Sequence, residues 1–316
     1  MVHRTESWNN FEGLGNRRNL QDLLVSEGYD VKLFGKTDFR GGGHTESNKV
    51  EAWTRDVPGL LLAQEGRPIV ELSNSSKIQT QDWKDTDKIK NWLVHGKHRN
   101  ASKPFALYFG IRSPHPYRSP EMGKNFGGSK FKTNSKFLSK VDLNKIDVPA
   151  SWRTPQHPVD FYSTFTKNCS SEFSEKEIKD VRAYYLAMCA ETDAIFAEVM
   201  KSLPVNYREN TLILFTADHG EMAMEHRQFY KMSMFESSVH VPFFVKMPKG
   251  FGDGENAGGS RVLRHPVSLV DVVPTLCKVM ESKDDLCGES DGVDVFQPKS
   301  YTFSEYHGCN LRADFI

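Results

Sequence analysis

Residues 211–231 read TLILFTADHGEMAMEHRQFYK, and this stretch decides the fold class. Its first six residues show no polar alternation, which is typical of a strand that is covered on both faces of a parallel sheet. The strand runs directly into Asp218, His219 and Gly220. Because ligands of open parallel sheets bind beyond the carboxyl ends of the strands, these residues are candidates for a functional site.

The rest of the chain continues this alternation of apolar strands and amphipathic helices. We predict strands at 29–34, 105–110, 211–216 and 241–246, and helices at 20–26, 83–94, 174–203 and 271–280. The pattern predicts an α/β fold with a mostly parallel sheet sandwiched by helices. Residues 110–173 lack a periodic pattern and are rich in Pro, Ser, Lys and Asn, so we expect an irregular active-site surround or lid there.

The composition excludes several classes of protein. The 316 residues carry 41 basic and 41 acidic side chains, and this balance argues against a general nucleic-acid-binding protein. The apolar runs are far shorter than the roughly 20 residues of a membrane span, and the first residues lack the apolar core of a signal peptide. The five cysteines are scattered, without the spacing of a metal finger or a redox pair.

The Asp218–His219 pair offers a carboxylate and an imidazole side by side, which are two common kinds of metal ligand. Alternatively, Asp218 caps the next element and His219 lies in solvent. Lys231 follows twelve residues after His219. It neutralises an anionic substrate if the chain folds back towards the pair, and is otherwise an ordinary surface lysine. The spacing alone leaves both readings open.

Four blocks of sequence, in family order, resemble the sulfatase family. Residues 217–243 resemble its signature of a metal-binding D-H/N-G followed by a lysine and an E-S-x-x-x-P-type segment. The other three blocks are GYDVKLFGK at 28–36, SPHPY at 113–117 and SLVDVVPTL at 268–276. Finer stretches such as ESWNNFEGL and RAYYLAMCAETDA resemble the branch of the family that acts on 2-O-sulfated uronates.

This resemblance implies a fold, a chemistry and a location. The fold is the alkaline-phosphatase-like α/β fold of sulfatases, here as one partial domain over residues 1–316. The implied activity is Ca²⁺-dependent hydrolysis of sulfated glycosaminoglycans or aryl sulfates by a formylglycine nucleophile. A formylglycine-generating enzyme makes that nucleophile from a cysteine, and the resemblance implies a lysosomal or secreted glycoprotein for the full-length form.

The resemblance also implies roles for individual residues. Asp218 and His219 align with ligands of one Ca²⁺ ion. Because Ca²⁺ prefers oxygen ligands, His219 alternatively orients the nucleophile. The residues that align with the substrate side of the site are Lys36, His157 and Lys231 as binding residues and His115 as a catalytic residue.

The chain departs from the family pattern at the nucleophile. No C-x-P-x-R or S-x-P-x-R motif occurs in the 316 residues, and the paired aspartates of the family's N-terminal region are also absent. We therefore expect a sulfatase-type chain that is cut at both ends and is inactive as it stands. The alternative is a truncated isoform or fragment that acts at most as a binding remnant. A phosphoryl-transfer relative is a third hypothesis, which the two aligned lysines disfavour.

Overall fold

The structure is a computed structural model, which describes residues 18–37, 67–96, 102–119, 128–166, 169–231, 233–251 and 261–304. The strands are β1 (Asp30–Gly35), β2 (Ile69–Ser73), β3 (Phe105–Gly110), β4 (Tyr117–Ser119), β5 (Gly128–Asn134), β6 (Ile213–Thr216) and β7 (Phe243–Lys246). The helices are α1 (Leu20–Ser26), α2 (Thr80–His95), α3 (Ser135–Leu138), α4 (Pro158–Thr166), α5 (Glu175–Ser202), α6 (Val205–Glu209), α7 (Glu236–Val239), α8 (Val272–Met280) and α9 (Asp285–Gly288). Every predicted helix and strand is present, with ends within three residues of the predicted ones.

Strands β1 and β3 pair in parallel, as the sequence predicts. Their register runs from Asp30 opposite Phe105 to Gly35 opposite Gly110. Helix α2 lies between them in the chain and packs against β1. Parallel strands joined through a helix are the unit from which α/β sheets are built, so this part of the chain confirms the predicted class.

Strands β2, β5 and β4 form a second sheet that the sequence pattern did not predict. Strand β5 pairs in parallel with β2 and antiparallel with β4. Ser129, Phe131 and Thr133 of β5 are buried, whereas the lysines between them form ion pairs with Glu71. The expectation that residues 110–173 are irregular is therefore wrong. The lysines that alternate with the buried residues of β5 made this strand resemble a polar loop in the sequence. A role for this segment around the active site stays a prediction.

Strands β6 and β7 form a third sheet, and they pair antiparallel with Thr216 opposite Phe243. The residues of β6 are half-buried, and Phe244 of β7 exposes 66% of its surface. Phe196 of α5 covers one side of β6 through a ring contact with Phe215 at 5.0 Å. The expectation of a strand covered on both faces is thus wrong for this pair within the part of the chain that the structure describes.

Helix α5 supports all three sheets. Its start is the predicted one, because the hydroxyl of Ser174 accepts a hydrogen bond from the amide of Glu177 and the Glu177 carboxylate accepts one in return. The middle of α5 packs in a core cluster that contains Phe131 of β5. Its end joins a second cluster around Ile89 and Leu203, against which β1, β3 and β6 pack.

Helices α8 and α9 form the last described unit. A disulfide between Cys277 and Cys287 joins them, which resolves a pairing that the sequence left open. An ion pair of 2.6 Å between Arg18 and Asp284 connects α9 to the residues before α1. Of the helices that the structure describes, none is long and apolar enough to cross a membrane.

Candidate active site

Lys36 is placed by a close approach between the ends of β1 and β3. Its amide donates a hydrogen bond to the carbonyl of Gly110 at 2.7 Å. A Cβ atom on Gly110 would lie 2.0 Å from the carbonyl oxygen of Lys36, and one on Gly35 would lie 2.2 Å from that of Gly110. Only glycine fits such contacts, and Gly35 also has a φ of +76°. The two glycines therefore fix Lys36 at the carboxyl edge of the sheet.

His115 follows β3 and is anchored by helix α2. The fully buried Asp82 accepts hydrogen bonds from the amides of Arg112 at 3.0 Å and Ser113 at 2.9 Å. The Arg112 guanidinium also donates to Asp82 at 3.1 Å. The amide of His115 in turn donates to the carbonyl of Arg112 at 3.0 Å. One carboxylate of α2 thus holds the turn that carries His115, which also contains a cis peptide bond before Pro114.

Residues 221–231 bring Lys231 back towards the end of β6 along an uncommon backbone path. Five non-glycine residues of this segment have positive φ, and they are Ala223, Met224, His226, Arg227 and Tyr230. Left-handed backbone costs such residues about 1–2 kcal/mol each, and it persists only where the surroundings impose it. The position of Lys231 therefore depends on contacts made by other parts of the chain.

Hydrogen bonds and burial impose this path. The carboxylate of Glu221 accepts from the amides of Tyr230 at 2.5 Å and Ala223 at 3.2 Å. Arg182 of α5 donates to the carbonyl of Ala223 at 3.1 Å and to the carboxylate of Glu225 at 3.0 Å. The fully buried side chains of the segment are Met222, Met224, Gln228 and Phe229. Residues 221–231 are thus a packed part of the protein.

Gly220 is required because another backbone lies against it. A Cβ atom there would lie 2.1 Å from the carbonyl oxygen of Ser237. The amide of Gly220 donates to the carbonyl of Ser238 at 2.7 Å, and the Ser238 hydroxyl donates to the carbonyl of Lys231. The glycine of the D-H-G motif therefore joins the end of β6 to helix α7 and to Lys231.

His115, His219 and Lys231 meet at one place, although they come from three separate segments. Nζ of Lys231 lies 3.1 Å from Nε2 of His115. The rings of His115 and His219 meet edge to face with centroids 6.4 Å apart. Tyr230 lies 5.5 Å from the His115 ring. Three of the residues implied by the family resemblance are thus brought together.

Both histidines present Nε2 to the site. Nδ1 of His115 lies 2.8 Å from the carbonyl oxygen of Pro116. Nδ1 of His219 lies 2.8 Å from that of Gly220. Because a carbonyl oxygen only accepts, each Nδ1 carries the proton and each Nε2 carries a lone pair. Burial, followed by the charge of Lys231, lowers the pKa of His115 to about 3 and lowers that of His219 as well, so both rings favour the neutral form at pH 7.

Two lysine cations give the site a positive field. The charges of Lys36 and Lys231 both lower the pKa values of the two histidines, whereas the Asp218 carboxylate raises that of His219. We refer to Lys36, His115, His219 and Lys231 as the lysine–histidine cluster. Two ammonium groups beside two neutral imidazoles favour an anionic ligand, and a tetrahedral oxyanion has acceptors for both cations.

Asp218 and His219 do not by themselves complete a metal site. Oδ2 of Asp218 lies 3.7 Å from Nε2 of His219, and the Asp218 side chain is 77% exposed. Across the described ranges, no group of three or more His, Cys, Asp or Glu side chains is placed to hold an ion. Ca²⁺ takes about six to eight oxygen ligands. The Asp218 carboxylate fits as one such ligand, and a role of His219 at the ion stays a prediction.

His157 lies at the start of α4, away from the ring contacts of the lysine–histidine cluster. Its side chain is exposed, and its Nδ1 accepts a hydrogen bond from the amide of Val159 at 3.3 Å. The neighbouring residues Gln156 and Pro158 line a cavity together with Trp152 and Arg227. A contact between His157 and substrate stays a prediction.

Three residues that position the site carry no recognisable signal in the sequence. Asp82 reads as an acidic residue of a helix first turn, and Arg182 and Glu221 read as surface charges. Only the folded chain shows that they hold the segments of His115 and Lys231. Burial raises the pKa of the Cys189 thiol to about 11, so this side chain is a poor nucleophile.

Comparison with known proteins gives one consistent family. A sequence profile described as Sulfatase matches residues 3–282. The chain is 46% identical to arylsulfatase K of Mus musculus over 334 residues, an alignment that covers 99% of this chain and 58% of that protein. The chain thus spans less than two thirds of the length of this curated relative.

Solved structures share the fold. The phosphonate monoester hydrolase of Agrobacterium radiobacter matches with a TM-score of 0.65 and 21% identity over 93% of this chain and 64% of that chain. A 2-O GAG sulfatase matches with a TM-score of 0.55 and 17% identity over 96% of this chain and 64% of that chain. At such identities the likeness concerns the fold alone, and it confirms the predicted alkaline-phosphatase-like α/β class.

Proposed function

The chain belongs to the sulfatase family, and on that premise we propose that its protein hydrolyses sulfate esters whose sulfate group is held by the lysine–histidine cluster. The proposed substrates are 2-O-sulfated uronates of glycosaminoglycans or aryl sulfates. The relative that is 46% identical is named an arylsulfatase, which supports this class of substrate.

The contact between Lys231 and His115 carries the proposal. The ammonium group lies 3.1 Å from a neutral imidazole nitrogen, a weaker partner than an anion. A sulfate oxygen accepts the same hydrogen bond and adds a full negative charge, so a bound sulfate ester replaces His115 as the partner of Lys231. Lys36 supplies a second cation from the end of β1.

His115 then carries a proton at Nε2 towards the leaving oxygen. Its pKa is low in the anion-free site because of burial and the nearby cations. A bound anion offsets part of that positive field and raises the pKa, which favours a proton on Nε2. Donation of this proton to the ester oxygen stabilises the leaving alcohol or phenol.

The family's Ca²⁺, when bound, supplies positive charge to the sulfate oxygens. Asp218 is proposed as one ligand of this ion, and His219 as a residue that orients the reacting groups. The C-x-P-S-R segment that a formylglycine-generating enzyme would modify is absent from the 316 residues. For these residues alone we therefore propose binding of sulfate esters without turnover, which is also what a catalytically inactive binding remnant would show.

The proposed location is the lysosome or the extracellular space. The disulfide between Cys277 and Cys287 supports it, because such bonds persist in oxidising compartments. Peptide mapping of protein from its source cells should recover the two cysteines as one disulfide-linked peptide pair. Recovery as free thiols would remove this support.

The proposed function is tested by calorimetric titration of the 316-residue chain with an aryl sulfate. We expect Lys231→Ala to weaken binding roughly tenfold or more, because a hydrogen bond between charged groups is lost. Lys249→Ala is the matched control, since Lys249 is 76% exposed and pairs with Glu209 on the surface. Equal affinity of the wild type and both variants would contradict the proposal.

A further inference from the structure

Glu191 is a buried acidic residue of helix α5. It belongs to the stretch RAYYLAMCAETDA at 182–194, which resembles one branch of the sulfatase family. Only 1% of its surface is exposed. A buried carboxylate costs free energy unless several hydrogen bonds compensate for the lost water, so the partners of Glu191 indicate what it does.

The partners of Glu191 lie at the start of helix α2. Its Oε1 atom accepts hydrogen bonds from the amides of Ile78 at 2.8 Å and Gln79 at 3.3 Å, and from the indole of Trp83 at 2.8 Å. Gln79 stands at the N-cap position of α2, and its side chain makes no capping hydrogen bond. Because the amides at a helix start lack partners within the helix, an acceptor from elsewhere stabilises it. Glu191 of α5 therefore acts in place of a cap for α2.

Helix α2 connects this contact to the turn that carries His115. Asp82 lies in the first turn of α2, directly before Trp83. Its carboxylate accepts hydrogen bonds from the amides of Arg112 and Ser113. The amide of His115 donates in turn to the carbonyl of Arg112. A shift of the start of α2 therefore moves Asp82 and, with it, the turn of His115.

A second contact joins the same turn directly to α5. The hydroxyl of Ser113 donates to the carbonyl of Met188 at 3.3 Å, three residues before Glu191. Burial, followed by the charges of Glu191 and Asp82, raises the pKa of Tyr117 at the start of β4. Both carboxylates thus lie near the strand that follows the turn. The turn is held from α5 by one direct hydrogen bond and by one path through α2.

We propose that Glu191 is a positioning residue that holds His115 in the lysine–histidine cluster through α2 and Asp82. The inference rests on the proposed function, because His115 serves the leaving oxygen only if a sulfate ester binds there. Side chains that are locked by hydrogen bonds of a supporting layer keep a site in its productive geometry before a ligand arrives. Helix α5 thereby serves both sides of the cluster, since Arg182 holds the segment of Lys231.

The test measures amide hydrogen exchange in the 316-residue chain and calorimetric binding of p-nitrophenyl sulfate. We expect Glu191→Ala to speed exchange at the amides of Arg112 and Ser113 by roughly tenfold, and exchange in β6 to change by less than about twofold. Affinity for p-nitrophenyl sulfate should fall roughly fivefold. Glu191→Gln keeps an oxygen acceptor and should change both quantities by about threefold or less. Asp193→Ala is the matched control, since Asp193 is exposed on the same helix.

A second variant tests the same link in a chain that keeps Glu191. Trp83→Phe removes only the indole donor, so the protein remains available for measurement even if Glu191→Ala does not fold. Exchange at the amides of Arg112 and Ser113 should rise roughly threefold in this variant, again without a matching rise in β6.

The outcomes separate this inference from the proposed function. Faster exchange confined to the turn, together with weaker binding of p-nitrophenyl sulfate, supports the inference. Unchanged exchange in the turn overturns it, and so does an equal rise in β6 or an unchanged affinity in Glu191→Ala. If the wild type does not bind p-nitrophenyl sulfate but exchange in the turn responds to Glu191→Ala, the anchoring of the turn stands and the proposed function fails.

Discussion

The two sides of the lysine–histidine cluster are positioned by opposite means. Lys36 and His115 follow the regular parallel strands β1 and β3, and glycines set the distance between the strand ends. Lys231 arrives through residues 221–231, where five non-glycine residues adopt left-handed backbone. The first side depends on small residues in strands, and the second depends on tertiary contacts that offset local strain.

The two sides of the cluster should therefore differ in how strongly single substitutions destabilise them. On the strand side, any added atom at the glycine contacts must move backbone, so few substitutions are tolerated. Residues 221–231 are stabilised by many groups at once. These groups are the buried side chains of the segment and the hydrogen bonds that involve Arg182 and Glu221. Single changes there are therefore expected to have smaller effects.

The largest expected effect is that of Gly110→Ala. The new Cβ atom would lie 2.0 Å from the carbonyl oxygen of Lys36, and backbone cannot rotate away as a side chain does. We expect the free energy of unfolding to fall by about 3–4 kcal/mol in urea denaturation. Gly288→Ala is the control, since nothing lies within 4 Å of its added atom. Equal effects of the two substitutions would show that the close contact at Gly110 does not hold the ends of β1 and β3 in place.

The next effect is that of Asp82→Asn, which weakens the anchor of His115. The carboxylate accepts from Arg112 and Ser113, and its loss leaves Asp85 as the remaining carboxylate partner of the Arg112 guanidinium. We expect a loss of about 2 kcal/mol in the free energy of unfolding, together with weaker aryl sulfate binding. Asp87→Asn in the same helix should change neither, because Asp87 is 61% exposed. Unchanged binding in Asp82→Asn would show that the anchor does not position His115.

The third prediction concerns the dependence of the free energy of unfolding on pH, which reports on the two buried histidines. The pKa of His115, about 3, and the lowered pKa of His219 lie below the ordinary value near 6.5. Below about pH 6.5 the two imidazoles therefore bind protons more readily in the unfolded chain than in the folded chain. The free energy of unfolding should thus fall towards pH 3 by roughly 1 kcal/mol per pH unit because of His115, and the lowered pKa of His219 adds a decrease of the same sign.

Two variants test whether His115 causes this dependence of the free energy of unfolding on pH. His115→Gln should make the dependence on pH shallower, and His240→Gln, which changes a 79% exposed side chain directly after helix α7, is the matched control. Denaturation at a series of pH values measures both. A slope that is the same in the wild type and in His115→Gln would contradict the account of a buried, neutral His115.

The smallest expected effect is that of Ala223→Gly in the strained segment. Glycine relieves a left-handed residue with φ of +42° by about 1 kcal/mol, and the lost methyl group costs about as much. The free energy of unfolding should change by less than about 0.5 kcal/mol. Ala187→Gly, in the interior of α5, should cost about 1.5 kcal/mol or more because no strain is relieved there. Equal losses would show that Ala223 is not strained.

The sequence predicted those parts of the fold that local patterns specify. The strand at 105–110 and the helix at 20–26 are found with the predicted bounds, and Ser174 caps α5 as expected. Strand β5 was missed because only one of its three buried side chains, that of Phe131, is apolar, which leaves no apolar–polar alternation to recognise. The antiparallel pairing of β6 and β7 could not be read from two short apolar runs.

The candidate site was predicted only in part, for a physical reason. Spacing alone left the role of Lys231 open, because five left-handed residues turn the chain back and no local pattern favours them. The family resemblance indicated that Lys36, His115 and Lys231 share a site, and the fold brings these residues together. The anchor at Asp82 depends on a contact across 30 residues, which a single sequence does not show.

The most direct test of the central claim is a crystal structure of the chain with a bound aryl sulfate. We expect sulfate oxygens within hydrogen-bond distance of Nζ of both Lys36 and Lys231, with the ester oxygen facing Nε2 of His115. We also expect Lys231 to leave its 3.1 Å contact with His115. An aryl sulfate bound elsewhere, with that contact intact, would contradict the account.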